Sequence, residues 1–225
     1  MGLLGLTATG VCSMVGAGIN VVPFMKWVPR PGPISRSDVR AAVERALARL
    51  RRGTIDLMQF HAWNYADPSW LDALLYLQEL KREGLVRHLG LTNFDTAHLR
   101  IAIASGMEVV SNQVSYSLLD RRPRQRMAAL RLAHGVQLLA YGTLAGGWLS
   151  EKWLGREEPD WEKTGTWSQM KYGRFIRAAG GGAALQRVLR AVVAVARRPR
   201  SRAATASPSP TWRAASSSRS PRSRG

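Results

Sequence analysis

The chain has 225 residues, a length that suffices for one domain with a sizeable hydrophobic core. A single cysteine, Cys12, excludes an internal disulfide framework and is typical of a reducing compartment such as the cytoplasm. The formal net charge is +18, and residues 196–225 hold eight arginines and no acidic residue, a balance that favours an anionic partner such as nucleic acid, an acidic membrane surface or a phosphorylated cofactor.

The N-terminal segment, residues 1–20, is apolar and rich in glycine. No charged side chain precedes Lys26, whereas a secretory signal peptide begins with a basic region. The glycines and Asn20 argue against a membrane span in this segment, although its length would allow one. The segment therefore predicts a soluble, cytoplasmic protein without a membrane partner.

The first strand is predicted at residues 21–28, within the mostly apolar run NVVPFMKWV of residues 20–28. A proline-rich turn follows, and Ser35 or Ser37 is predicted to cap a helix that runs to about Leu50. Arg51-Arg52-Gly53 is predicted to end this helix, because glycine tolerates the left-handed backbone that a helix stop requires.

Short apolar runs and amphipathic segments then alternate along the chain. Four further strands are predicted, at residues 55–61, 87–92, 109–114 and 136–141. Helices are predicted at residues 69–82, from Asp95 or Thr96 to 105–106, at 124–133 and at 183–196. The segment after Gly147 is predicted to be a loop in which several tryptophans act as anchors.

Strands that alternate with helices indicate a parallel α/β sheet. Polar residues stand at the ends of four predicted strands: His61, Thr92-Asn93, Asn112-Gln113 and Tyr141. In parallel α/β architectures the carboxyl ends of the strands share one edge, where catalytic and binding residues are placed. The sequence therefore predicts a functional site at this edge.

Five sequence blocks follow one another at the predicted strand ends: Lys26-Trp27-Val28-Pro29, Asp56-Leu57-Met58-Gln59-Phe60-His61, Gly90-Leu91-Thr92-Asn93-Phe94, Ser111-Asn112-Gln113-Val114-Ser115-Tyr116-Ser117 and Ala140-Tyr141-Gly142-Thr143-Leu144-Ala145-Gly146-Gly147. Each block alone is weak, but their order and spacing resemble the aldo/keto reductase family over roughly residues 23–196. Members of this family are TIM-type (β/α)8 barrels that move a hydride between NADPH and a carbonyl group.

The resemblance implies an incomplete (β/α)8 barrel of about five βα units, the third to the seventh, because only five strands are visible where a closed barrel has eight. It implies NADP(H) as cofactor, a small aldehyde, ketone or sugar as substrate, and no metal. Lys26 and His61 match the catalytic lysine and histidine of the family. Its mechanism also uses a tyrosine as general acid, whose pKa the lysine lowers.

The resemblance also assigns the cofactor site. Thr92, Asn93 and Gln113 match the residues that hold the nicotinamide carboxamide, and Tyr141 matches the ring that stacks under the nicotinamide. Residues from Gly142 to Leu144 match the loop near the pyrophosphate. Such contacts are needed because hydride transfer requires a nicotinamide ring fixed with one face toward the carbonyl.

Two parts of the family pattern are not found. The tyrosine and the aspartate that pairs with the lysine stand before the lysine in the family, and residues 1–25 contain neither residue type. The eighth strand and the basic residues that hold the 2′-phosphate should follow residue 196, where the sequence turns to Arg, Ser and Pro. The prediction is an impaired, truncated reductase, with Tyr65 the one tyrosine that could replace the missing acid.

Three regions follow from this pattern: the apolar segment 1–20, a partial aldo/keto reductase domain at 21–196 and a disordered basic tail at 197–225. The alternative hypothesis is a catalytically inactive remnant whose tail binds nucleic acid or a protein partner. Against nucleic acid, the Arg/Ser run is short and lacks an RNA-binding module. A change of reading frame or exon would explain the tail equally well.

Each candidate residue also has a purely structural interpretation. His61 and Lys26 would then be ordinary polar residues at strand ends, and Asn93 and Gln113 would satisfy loop backbone groups. Tyr141 would pack inside the barrel. A contact among these five side chains at one edge of the sheet would favour the functional interpretation.

Overall fold

The computed structural model describes residues 24–30, 32–161 and 165–197. Its sheet has five parallel strands in the order of the chain, which confirms the predicted α/β fold. The strands are β1 (Phe24–Trp27), β2 (Ile55–Phe60), β3 (Val86–Thr92), β4 (Val109–Ser115) and β5 (Gln137–Tyr141). The segment 1–20, the beginning of the predicted first strand and the tail beyond residue 197 lie outside the described residues.

Six α-helices accompany the strands in the described part of the chain: α1 (Arg36–Leu50), α2 (Ser69–Arg82), α3 (Thr96–Ala104), α4 (Arg126–His134), α5 (Trp167–Ala178) and α6 (Gly181–Ala196). Five of them match the predicted helices, with ends shifted by at most two residues. Ser35 caps α1, since its hydroxyl accepts a hydrogen bond from the Asp38 backbone N–H. Asp95 caps α3 in the same way through the His98 N–H.

Helix α1 ends at the predicted segment Arg51-Arg52-Gly53, but the left-handed residue there is not the glycine. Arg51 takes the left-handed conformation, with φ 52°, directly after the last helical residue. Its backbone N–H donates to the Ala48 carbonyl at 3.2 Å, and Arg52 donates to Leu47 at the same distance. The left-handed residue must follow the last helical turn directly, so the end of the helix decides which residue it is. At this end it is an arginine, which adopts the left-handed backbone less readily than glycine does.

The two faces of the sheet differ. One face packs against α1–α4 and forms the main core, with Met58, Phe60, Leu89 and Leu91 fully buried. The other face presents polar residues in register, because Lys26, Gln59, Gly90 and Ser111 pair with one another across neighbouring strands. Since side chains alternate along a strand, residues two positions later fall on this polar face as well.

A second hydrophobic cluster, which we call the tryptophan cluster, joins the chain after β5 to α5 and α6. Its buried members are Ala145, Trp148, Trp161, Tyr172, Ile176, Leu185 and Leu189. The Trp148 ring lies 4.3 Å from that of Trp153 and 4.9 Å from that of Trp161, between ring centroids. Three tryptophans therefore anchor this region, as predicted, whereas Trp167 is 84% exposed.

The prediction of a loop between Gly147 and the helix at 183–196 was wrong in part, because this segment contains α5. The helix begins with Thr166, whose hydroxyl accepts from the Gln169 N–H at 3.1 Å. Tyr172 and Ile176, four residues apart, give it a narrow buried face on the tryptophan cluster. Gly173 stands in the middle of this helix and lowers its intrinsic helix propensity, so tertiary packing stabilises the helix.

Within the described ranges, no helix is long and apolar enough to cross a membrane. The same residues contain no group of three or more His, Cys, Asp or Glu side chains arranged to hold a metal ion.

Candidate active site

Lys26 and His61 lie on the polar face at the carboxyl edge of the sheet. Lys26 is the third residue of β1, and His61 follows β2 directly. The His61 backbone N–H donates to the Trp27 carbonyl at 2.9 Å, which continues the parallel ladder. Lys26 pairs with Gln59, and His61 lies two residues after Gln59. Its side chain therefore projects from the same face as Lys26, closer to the carboxyl edge.

Asn93 is the centre of the site. Its backbone is left-handed, with φ 59°, and its N–H donates to the Gln113 carbonyl at 2.7 Å. Its carbonyl accepts from the Tyr65 hydroxyl at 3.3 Å. The amide of its side chain lies between two other strand ends, with Nδ2 3.3 Å from His61 Nε2 and Oδ1 accepting from the Tyr141 hydroxyl at 2.9 Å. Residues after β2 and β3 and at the end of β5 thus form one hydrogen-bonded series.

This series requires a neutral imidazole. The Tyr141 hydroxyl donates to Asn93 Oδ1, so the amide N–H₂ group of Asn93 faces the His61 ring. Nε2 accepts a hydrogen bond from that group only when it carries no proton. Burial, and to a lesser extent the Lys26 ammonium, lowers the pKa of His61 from 6.5 to about 4. His61 is therefore neutral at pH 7 and carries its ring proton on Nδ1.

We expect the free energy of unfolding to decrease from pH 7 to pH 4.5, and to decrease less steeply in His61→Gln. The folded-state pKa of His61 lies below its unfolded value, so the unfolded chain binds more protons between about pH 4 and 6.5 and is favoured there. Because the ring is only half-buried, the contribution stays well below about 1.4 kcal/mol per pH unit. Urea denaturation followed by circular dichroism at several pH values measures it.

The control for this measurement is His88→Gln, which removes an exposed imidazole near the amino end of β3. Parallel pH dependences in the wild type and in His61→Gln would contradict the assignment of a neutral, half-buried His61.

Thr92 and Gln113 have different environments. Thr92 is fully buried, and its hydroxyl donates to Gln59 Oε1 at 3.3 Å, beneath the exposed Asn93 side chain. Gln113 pairs with Thr92 in the ladder and is half-buried, and its side chain makes no hydrogen bond within the described residues. The Gln113 amide is therefore the more available of the two groups for a ligand at the edge.

Packing below the site is tight and polar. Gln59 and Ser111 are buried on the polar face, and neither Gln59 Nε2 nor Ser111 Oγ has a hydrogen-bond partner among the described residues. A Cβ atom added to Gly90 between them would lie 2.6 Å from Ser111 Oγ. Glycine at this position therefore allows the neighbouring strands' polar side chains to meet under the site.

Helix α5 returns to this edge and adds two residues that sequence analysis missed. Lys171 Nζ lies 5.1 Å from the centroid of the Tyr141 ring, and the hydroxyl of Tyr172 fills the space where a side chain on Gly142 would stand. Gly142 itself is left-handed, with φ 70°, and Leu144 beyond it is 62% exposed. The Thr166-x-x-Gln169 pair, a helix-capping signature, is a sequence signal that could have located α5.

The Tyr65 hydroxyl makes no hydrogen bond to Lys26 or His61 among the described residues. Its ring stacks on His98 at 3.6 Å between centroids and meets Trp70 and Phe94 edge-on. Burial raises the pKa of Tyr65, and its hydroxyl contacts the backbone of Asn93. The tyrosine therefore supports Asn93 rather than replacing the missing acid.

The sequence model of the Aldo/keto reductase family matches residues 18–201. The chain belongs to the aldo/keto reductase family. Protein tas of Escherichia coli is 31% identical over 187 residues, covering 73% of this chain and 52% of that protein. The NADH-specific methylglyoxal reductase of the same bacterium is 31% identical over 120 residues, covering 52% of this chain and 36% of the relative.

Solved structures agree with this assignment. The holo form of aldo-keto reductase AKR11C1 from Bacillus halodurans is 30% identical, with a TM-score of 0.51, covering 60% of this chain and 44% of that one. The thermostable aldo-keto reductase Tm1743 is 34% identical, with a TM-score of 0.51, covering 58% and 47%. This aldo/keto reductase chain thus spans about half the length of its relatives, and its five βα units form part of a (β/α)8 barrel.

Proposed function

We propose that this aldo/keto reductase chain holds the nicotinamide end of NADP(H) at the carboxyl edge of its sheet and acts on an aldehyde, ketone or sugar carbonyl. The observation that carries the proposal is the hydrogen-bonded series His61–Asn93–Tyr141, with Lys26 beside it. A purely structural role would not require four polar side chains from separate strands to meet at one edge.

The residues present fit a flat ring that bears a carboxamide. The exposed Asn93 amide and the Gln113 amide on the neighbouring strand offer both donors and acceptors, and the Tyr141 ring offers an apolar face beside them. In the structure Tyr141 and His61 satisfy the Asn93 amide. A bound carboxamide would replace these partners. The free energy of binding would therefore gain only the difference between the hydrogen bonds formed and those broken.

When bound, the cofactor supplies the hydride. The chain's own residues would act on the substrate oxygen, which gains negative charge as the hydride arrives. The Lys26 ammonium would stabilise that charge, and its pKa is lowered by burial and by the nearby Lys171 ammonium. A neutral His61 would orient the oxygen without competing with Lys26 for a negative partner.

Replacement of Asn93 by glycine is expected to weaken NADPH binding about 5- to 150-fold. Glycine keeps the left-handed backbone of this position, so the variant removes the amide without adding strain. The lost contacts are about two hydrogen bonds, at roughly 0.5–1.5 kcal/mol each. Isothermal titration calorimetry with NADPH measures the change, and NADH is titrated in parallel to compare the two cofactors.

The matched control is Asn64→Gly, on the loop after β2, where the side chain accepts from the Ala66 N–H at 3.1 Å and makes no other hydrogen bond among the described residues. This control should bind NADPH as the wild type does. Unchanged affinity in Asn93→Gly, or no binding of either dinucleotide to the wild type, would overturn the proposed function.

A further inference from the structure

Lys171 stands over the ring that the proposed function assigns to the nicotinamide. Its ammonium lies 5.1 Å from the centroid of Tyr141 and 5.4 Å from that of Tyr172. It is also close enough to Lys26 to affect that residue electrostatically. A cofactor ring stacked on Tyr141 would therefore lie beside this ammonium or displace it.

The position of Lys171 is set by the packing of α5. The Trp148 indole N–H donates to the Gln169 carbonyl at 2.9 Å, and Tyr172 and Ile176 are buried in the tryptophan cluster. The Tyr172 ring rests against Gly142, where any larger residue would collide with its hydroxyl. Helix α5 therefore packs against both the tryptophan cluster and Gly142, and this packing places the exposed Lys171 side chain near Tyr141.

The charge around Tyr141 is mainly positive. Lys26 and Lys171 have no carboxylate within salt-bridge distance among the described residues. Burial, and to a lesser extent the Asp120 carboxylate, raises the pKa of Tyr141, and that carboxylate is engaged by the Arg122 guanidinium at 2.7 Å. His61 is neutral at pH 7. A ligand ring at this place would meet two ammonium groups that no anion of the described chain neutralises.

The oxidised and reduced cofactors differ at this ring by one charge. The oxidised nicotinamide is a cation and the reduced dihydronicotinamide is neutral, whereas their phosphates and adenosine are identical. Any cost of displacing Lys171 from Tyr141 is common to both forms. The ratio of the two dissociation constants therefore reports the charge interaction alone.

We propose that Lys171 makes this site bind reduced cofactor more tightly than oxidised cofactor, which favours carbonyl reduction and release of NADP⁺. The inference rests on the proposed function and deepens it. Lys171 Nζ lies 5.1 Å from the Tyr141 centroid. A cationic ring at a similar distance from this ammonium would have its binding constant changed about fourfold in a water-like dielectric, and more in a half-buried site.

The test measures the dissociation constants of NADPH and NADP⁺ by calorimetry in low-salt buffer, where charge interactions are least screened. In Lys171→Met the ratio of the NADP⁺ to the NADPH constant is expected to fall about 4- to 10-fold. Lys171→Arg, which keeps the charge, is expected to retain the wild-type ratio. The control Lys81→Met removes a lysine at the end of α2, on the opposite edge of the sheet.

Each outcome separates the two proposals. An unchanged ratio in Lys171→Met, with NADPH binding still sensitive to Asn93→Gly, would overturn the role of Lys171 and leave the proposed function in place. The same would follow if Lys81→Met shifted the ratio equally. Failure of the wild type to bind either cofactor would overturn both. Since Lys171 is exposed, circular dichroism should show an unaltered fold in the two Lys171 variants.

Discussion

The 225-residue chain is expected to reduce carbonyl compounds slowly, with a turnover number of about 0.1 s⁻¹ or less. A typical enzyme turns over about 10 times per second, and loss of a general acid costs about 10²–10⁴-fold. The chain has five tyrosines, all of them in its described part. None of their hydroxyls is hydrogen-bonded to Lys26 or His61 there.

The positions of the tyrosines explain this expectation. Tyr141 donates to Asn93, Tyr65 contacts the Asn93 backbone, and Tyr172 lies against Gly142. Tyr76 lies on α2, on the opposite side of the sheet. Tyr116 follows β4, and its backbone N–H donates to the Tyr141 carbonyl at 3.1 Å. Because no tyrosine hydroxyl of the described residues is hydrogen-bonded to Lys26 or His61, water would have to supply the proton to the substrate oxygen.

The measurement is NADPH oxidation with methylglyoxal and a panel of aldehydes, ketones and sugars, alongside the binding titration described above. His61→Ala is the companion variant, with His88→Ala as its control. Rapid turnover that His61→Ala abolishes would show that another residue supplies the proton, and would refute the expectation of slow catalysis.

The second large effect concerns stability. Replacement of Trp148 by alanine is expected to lower the free energy of unfolding by about 3–5 kcal/mol. Its side chain is fully buried, contacts two other tryptophan rings and donates its indole N–H to the Gln169 carbonyl at 2.9 Å. The cavity would also release α5, and with it Lys171, from the edge of the sheet.

The chain offers a matched control in Trp167→Ala, because Trp167 is 84% exposed at the start of the same helix. Its effect on the free energy of unfolding should be within about 0.5 kcal/mol. Urea denaturation followed by far-ultraviolet circular dichroism measures both variants. Equal losses in the two variants would contradict the assignment of Trp148 to a second core.

Residues near one another in the sequence determined the strands and most helices. The apolar runs, the capping Ser35 and the glycines after helices are local signals, and the observed strand ends in the described residues differ from prediction by at most one residue. Parallel pairing follows from the alternation of strands and helices, and it places all strand ends at one edge. The sequence by itself therefore determined that Lys26, His61, Asn93 and Tyr141 share an edge.

Only the tertiary structure decided how these residues meet and what else joins them. The left-handed Asn93 is held by groups from three other segments, and the low pKa of His61 depends on burial that no short stretch of sequence encodes. Lys171 reaches Tyr141 because Trp148 and Tyr172 pack α5 against the sheet edge. Side-chain packing between segments that are far apart in the sequence determines these contacts. Local sequence patterns do not encode that packing.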